Sequence, residues 1–222
     1  MIFFQDKNIE EQFTEIISSI RPLMNGVAAH KMCEFGVFYE KALGVSIIHL
    51  RAMAKKYKKN HALSLMLWGE KSREAMILAT LLDNPKETNK EQVYEWIKRF
   101  NNQEIIEQAC MNLFSHLDFA EELVDDFLNS DEHFIKLTAI ILTARLAFNK
   151  KIKTTNINRY TNLIVNLIKH ENRQIAKSAS NSLIHLCKGS EKRKFECIEK
   201  LKSFSSERNQ FIIEDTIELL KY

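Results

Sequence analysis

The stretch Phe134-Ile-Lys136-Leu-Thr-Ala-Ile-Ile-Leu142 fits over Ile175-Ala-Lys177-Ser-Ala-Ser-Asn-Ser-Leu183 when moved forward by 41 residues. Moved back by 29, it fits over Ile105-Ile-Glu107-Gln-Ala-Cys-Met-Asn-Leu113. In each copy an apolar residue is followed by a charged one, then by small or apolar residues, then by a leucine. A period of about 40 residues is what two helices and their turns occupy, and it is the sequence signature of HEAT and armadillo repeats. Helix pairs of that kind cannot bury their apolar faces alone. They stack into a curved solenoid with a concave binding face. The recurrence is one of pattern rather than identity, which leaves an irregular helical bundle as the alternative.

The chain on either side of this stretch reads the same way. Phe13, Ile16, Ile17 and Ile20 fall on one face of a helix that starts near Asn8 and must stop near Pro22. Further helices are expected over Val27–Phe35, from the N-cap Ser46 to Lys55 and Lys56, over Ala62–Trp68 and over Ser72–Leu82, with a break at Asp83-Asn-Pro85. The rest fall over 89–100, 102–116, 118–128, 132–148, 155–170, 173–187, 190–203 and 207–221. Only five Gly and two Pro punctuate 222 residues, and no segment demands a strand. With 45% hydrophobic residues the chain can bury a substantial core. The expectation is an all-α, HEAT-like helical repeat solenoid, with residues 1–222 forming a single domain.

Charge is sorted along this frame. Residues 102–135 contain no Lys or Arg, whereas 133–203 carries fifteen of them against four acids, in a chain whose net charge is only +3. Such sorting is the electrostatic footprint of a surface that meets a polyanion, and nucleic acid is the first partner to consider. Lys136, Arg173 and Lys177 recur at repeat-equivalent or adjacent positions, so they are expected to line one groove as contacts to spaced phosphates; a solvated face is the bland alternative. Lys55-Lys56-Tyr-Lys58-Lys59 and Lys150-Lys151-Ile-Lys153 lie at helix ends, where cations also complement the helix dipole.

Other classes are disfavoured. Cys33, Cys110, Cys187 and Cys197 are dispersed without a CxxC pair, which suits free, largely buried thiols in a reducing, cytoplasmic setting. Met1–Asp6 is too short for a signal peptide, and the apolar stretch 137–148 is too short to span a membrane. There is no glycine-rich phosphate loop, GxSxG or HExxH, and His185 and Cys187 are two apart on a helix and face apart, so neither metal nor cofactor is expected. Trp68 and Trp96 stand at core spacing.

Gly44-Val-Ser-Ile-Ile-His-Leu-Arg51-Ala-Met-Ala-Lys-Lys56, followed by Leu65-Met-Leu-Trp68 and by Glu74-Ala-Met-Ile-Leu-Ala-Thr-Leu-Leu82, resembles the AlkD-like DNA alkylation repair family. The resemblance continues through 102–117, 131–149 and 172–203. It implies a HEAT-like solenoid that holds duplex DNA, alkylated or branched, on a basic concave face. Active members of that family are N-glycosylases that release N3- or N7-alkylated purines, and the resemblance implies a monomer that needs no metal.

At the chemical positions the chain departs from the family. The family's Trp-Asp-x-x-Asp pattern looks here like Gln103-Glu104-Ile-Ile-Glu107, a SWALR-like segment like Ser180-Asn181-Ser-Leu-Ile184, and a FWxRRTA-like segment like Phe134-Ile-Lys136-Leu-Thr-Ala139. The resemblance makes Glu107 the carboxylate that would stabilise positive charge developing on the sugar, with Glu104 assisting it or positioning water. Without the resemblance, both would read as acids placed at a helix start for the sake of its dipole. Two other roles stay open: a catalytically silent relative that recognises damaged or branched DNA by shape, and a protein-interaction scaffold whose acidic 102–132 stretch meets a basic partner.

Overall fold

The computed structural model describes residues 7–204 and 208–222. Thirteen α-helices run through them in chain order: α1 (Lys7–Ile20), α2 (Gly26–Glu34), α3 (Ile47–Ala54), α4 (His61–Gly69), α5 (Arg73–Leu82), α6 (Lys90–Ile97), α7 (Gln103–Asn112), α8 (Ala120–Leu128), α9 (His133–Phe148), α10 (Thr154–Leu167), α11 (Arg173–Cys187), α12 (Glu191–Lys202) and α13 (Gln210–Leu220). The one strand-like feature among the described residues is an isolated bridge between Lys41 and Ser72. Met1–Asp6 and residue 207, the first of the last expected helix, lie outside the described residues.

The helix starts are written in side chains. Asn25, Ser46, Asn60, Asn89, Asn102, Asn172 and Ser190 precede α2, α3, α4, α6, α7, α11 and α12, and each accepts a hydrogen bond from a first-turn N–H. Each cap satisfies a donor that the helix leaves orphaned, an effect of about 1 kcal/mol. Pro22 ends α1, which gives way to a 3-10 turn over Arg21–Leu23. The helix expected over 102–116 ends early. Leu113 leaves helical geometry at φ −130° and ψ −62°, and a 3-10 turn over Phe114–His116 follows. That break leaves Leu113 and Phe114 both fully buried, so core burial outweighs the loss of one helical turn.

The chain forms two compact units, residues 1–118 and 119–222. In the first unit α5 is the centre, with every residue except Leu81 buried. Helices α3, α4 and α7 pack on it, and α1 packs on α4. The Trp68 and Trp96 rings stack with centroids 4.1 Å apart and planes 8° from parallel, inside the core as their spacing implied.

The second unit is a two-layer stack. Helices α9, α11 and α13 lie side by side, α8 packs on α9, α10 on α11 and α12 on α13, while α10 also meets α12. Covered by α8 and α11, α9 is apolar around most of its circumference. The 41-residue period is visible as contacts. His133 Nε2 lies 2.8 Å from Gln174 Oε1, 41 positions on, and the Asn209 amide donates to the Ile168 carbonyl, 41 positions back, at 3.0 Å.

Cys110, Cys187 and Cys197 are buried free thiols, whereas Cys33 is exposed. No helix among the described residues is long and apolar enough to cross a membrane.

Candidate nucleic-acid interface

The two acids expected at the start of α7 meet different surroundings. Asn102 caps the helix and also donates its amide to the Phe38 carbonyl at 2.8 Å, which fixes where α7 begins. Glu104 is then gripped on both oxygens: Arg73 donates from Nε at 2.8 Å and from Nη2 at 2.7 Å, and the Tyr39 hydroxyl donates at 3.0 Å. This two-pronged geometry is the strong form of the ion pair. The other end of Arg73 donates to the Val45 carbonyl at 2.7 Å and to Glu74 at 2.9 Å. Glu74, fully buried, accepts from the backbone N–H groups of Leu43 and Val45 at 3.0 and 3.1 Å.

Burial opposes the charge on Arg73, but hydrogen bonds and charges from Glu104 and Glu74 outweigh it and raise its pKa. Burial and the neighbouring Glu104 carboxylate push the Tyr39 phenol far above its ordinary range. Between the two backbone donors sits Gly44 at φ +73°, where a Cβ would lie 2.1 Å from the Asn25 carbonyl oxygen. Only glycine fits there. The Gly44-Val45 segment and Glu74 of α5, which carried the family resemblance, are therefore joined as one buried polar lock.

Glu107 stands one turn beyond Gln103, whose Nε2 donates to its Oε1 at 2.7 Å. Its side chain is half-buried and its second oxygen has no hydrogen-bond partner among the described residues. In chemical terms Glu104 is a spent carboxylate and Glu107 an available one.

In the second unit the structure brings Lys136, Arg173 and Lys177 to the same end of the α9 and α11 pair. The His133 to Gln174 contact sets the two helix starts side by side, so Lys136 and Lys177 hold equivalent places in successive helices. Arg173 and Lys177 are one turn apart and exposed; the Lys136 side chain is 15% exposed, with Nζ 3.8 Å from Asp131. Neither helix has an acid in its first turn. Arg173, the first residue of α11, opposes that helix's dipole, whereas Lys136 and Lys177 lie about a turn in and Glu132 precedes α9 as its N-cap. Asn181 is exposed on α11.

The acidic stretch is largely occupied from within. Glu121 accepts from the Lys153 N–H at 2.9 Å and from the Asn156 amide at 2.6 Å, and Arg159 donates to both oxygens of Asp125 at 2.6 and 2.9 Å. These pairs fasten α8 to α10 and leave less free charge for a basic partner. Sequence reasoning missed the Arg73 lock, whose only signal was the adjacency of Arg73 and Glu74. It also missed a basic cleft where the loops following α9 and α11 meet the starts of α10 and α12. Among the described residues no group of three His, Cys, Asp or Glu could hold a metal ion.

Fold and site together define a HEAT-like helical repeat protein. A solved structure described as a new family of proteins related to the HEAT-like repeat DNA glycosylases, with affinity for branched DNA structures, superposes with a TM-score of 0.79 at 16% identity, covering 94% of each chain. A designed armadillo repeat protein in complex with a (KR)4 peptide is 16% identical and covers 98% of this chain and 100% of its own, with a TM-score of 0.45. No curated protein matches the chain in sequence. The chain belongs to the DNA alkylation repair enzyme family, whose model matches residues 16–218.

Proposed function

We propose that this protein binds duplex DNA through the N-terminal ends of α9 and α11, with Lys136, Arg173 and Lys177 as phosphate contacts. What supports this reading is that Arg173 and Lys177 are exposed one turn apart on α11, beside Lys136 at the equivalent position of α9. Family membership supports DNA as the polyanion. Phosphate contacts position a protein on DNA without reading sequence. With Asn181 exposed in place of a ring, recognition of shape suits the site better than grasp of a base. The structural relative's affinity for branched DNA is the same chemistry, and we extend it to this chain as the preferred substrate. In this reading residues 1–222 act as one monomeric domain in the cytoplasm.

Glu107 favours a second reading. A half-buried carboxylate with one open oxygen can stabilise a sugar cation as an alkylated purine departs, while Glu104, locked by Arg73, holds the start of α7 in place as a positioning residue. Binding of a four-way junction and of a plain duplex, compared with release of N7-methylguanine and N3-methyladenine from methylated duplex, separates the two. Tight junction binding without release supports shape recognition. Release that disappears in Glu107→Gln supports excision.

A further inference from the structure

The far ends of the same helices form a second cationic feature. A cleft of about 410 Å³ opens where the loops after α9 and α11 face the starts of α10 and α12, and Lys150, Thr154, His185, Lys188, Gly189 and Arg193 are among its lining residues. None of its lining residues is acidic. The acids of α12 are turned to other lysines: Glu191 pairs with Lys194 at 3.0 Å and Glu196 with Lys192 at 3.9 Å. Lys150 and Lys188 are exposed, and their side-chain ammonium groups make no ion pair or hydrogen bond among the described residues. Arg193 donates its Nε to the Leu186 carbonyl at 3.1 Å, which aims the guanidinium while its two terminal nitrogens stay unengaged among the described residues.

Helix α10 has no side-chain cap of its own, and Glu121 of α8 already accepts from the Lys153 N–H at its start. The loops hold unusual backbone, with Lys150 at φ +55° and Gly189 at φ +75°, and both residues line the cleft. The Phe148 ring meets the His185 imidazole edge-on at 5.6 Å and orients it. Burial, then the charges of Arg145 and Lys188, lower the His185 pKa, as expected where positive charge gathers without an anion.

Lys150 and Lys188 also complement the C-terminal dipoles of α9 and α11, and that role explains each lysine singly. It does not explain the convergence. Three cations and an oriented imidazole around one concave volume without an acid in its lining are complementary to an anion. We propose that this cleft is a phosphate-binding site, with the Arg193 fork and the Lys150 and Lys188 ammonium groups taking the oxygens of a phosphate monoester or diester. It is distinct from the Lys136, Arg173 and Lys177 end. From Lys136 to Lys150 is 14 residues, about 20 Å at the helical rise.

Inorganic phosphate titrated into the full chain, followed by NMR, tests this. Saturable shifts at Lys188, Gly189 and His185 are expected, weakened about tenfold in Lys150→Glu and in Lys188→Glu. Arg173→Glu with Lys177→Glu is expected to remove only shifts at that other end and to leave the saturable shifts at Lys188, Gly189 and His185 in place, so failure of the DNA reading and failure of this one remain distinguishable. Duplex binding then identifies the source. If Lys150→Glu and Lys188→Glu also weaken duplex binding, the cleft takes a backbone phosphate. If duplex binding is untouched while phosphate binding falls, it takes a phosphate carried by a small ligand. Absence of a saturable shift in the wild type, or equal shifts in the charge-reversed variants, overturns the proposal.

Discussion

Gln103 donates its side-chain amide to Glu107 at 2.7 Å and so holds the one carboxylate of α7 that Arg73 does not grip. A neutral amide steadies a carboxylate without neutralising it, and the remaining oxygen keeps its negative charge for a ligand. In any base-release assay Glu107→Gln is expected to lose at least about a hundredfold, as Glu107 is the only carboxylate there still free to act. Duplex affinity is expected to change little. Release that persists in Glu107→Gln would remove this residue from the chemistry.

Arg73 carries the heaviest structural load. Arg73→Met would leave Glu74 and Glu104 facing one another without their shared cation, and breaking a buried ion network in this way costs about 3–5 kcal/mol. Glu104→Gln keeps a hydrogen-bonding group in place and is expected to cost about 1–3 kcal/mol. Thermal unfolding of both variants checks the order. Equal and small losses would mean that the lock is not a unit.

Thiol reactivity divides the cysteines by burial. Cys33 is exposed, while Cys110 and Cys187 are fully buried and Cys197 nearly so. The contact with Cys197 at 3.5 Å, and then burial, raise the Cys187 thiol pKa and make it a poor nucleophile. Alkylation of the native protein, read by mass spectrometry, is expected to add one group rapidly at Cys33. The others should react only on unfolding, so four equal rates would contradict the packing.

His185 gives the second unit a signed pH dependence. Its folded pKa is lowered by burial and by Arg145 and Lys188, so near pH 6.5 the unfolded chain binds more protons than the folded one. Stability is therefore present above that range and is lost as pH falls through it. His185→Gln is expected to flatten this slope between pH 7 and 5, measured by denaturant unfolding. A wild-type slope unchanged by the substitution would place the titration elsewhere.

The repeat was legible because its signals are local. The cap at Ser46 and the 41-residue register seen between His133 and Gln174 lie in residue type and spacing. The equivalent places of Lys136 and Lys177 in successive helices follow from the same register, 41 positions apart. The lock was not legible, since it joins Arg73 to Glu104 across 31 positions, and no period links them. Nor was the early end of α7, where the burial of Leu113 and Phe114 overrides a helical pattern. The cleft escaped notice because four helix ends build it, and each of its lysines reads alone as a dipole complement.

The salt dependence of duplex DNA binding tests the central claim most directly. Affinity should fall steeply with ionic strength, and Arg173→Glu with Lys177→Glu should weaken binding and reduce the log–log slope by about two, the signature of two lost phosphate contacts. Binding that is absent in the wild type, or present with a slope the substitutions do not change, would contradict it.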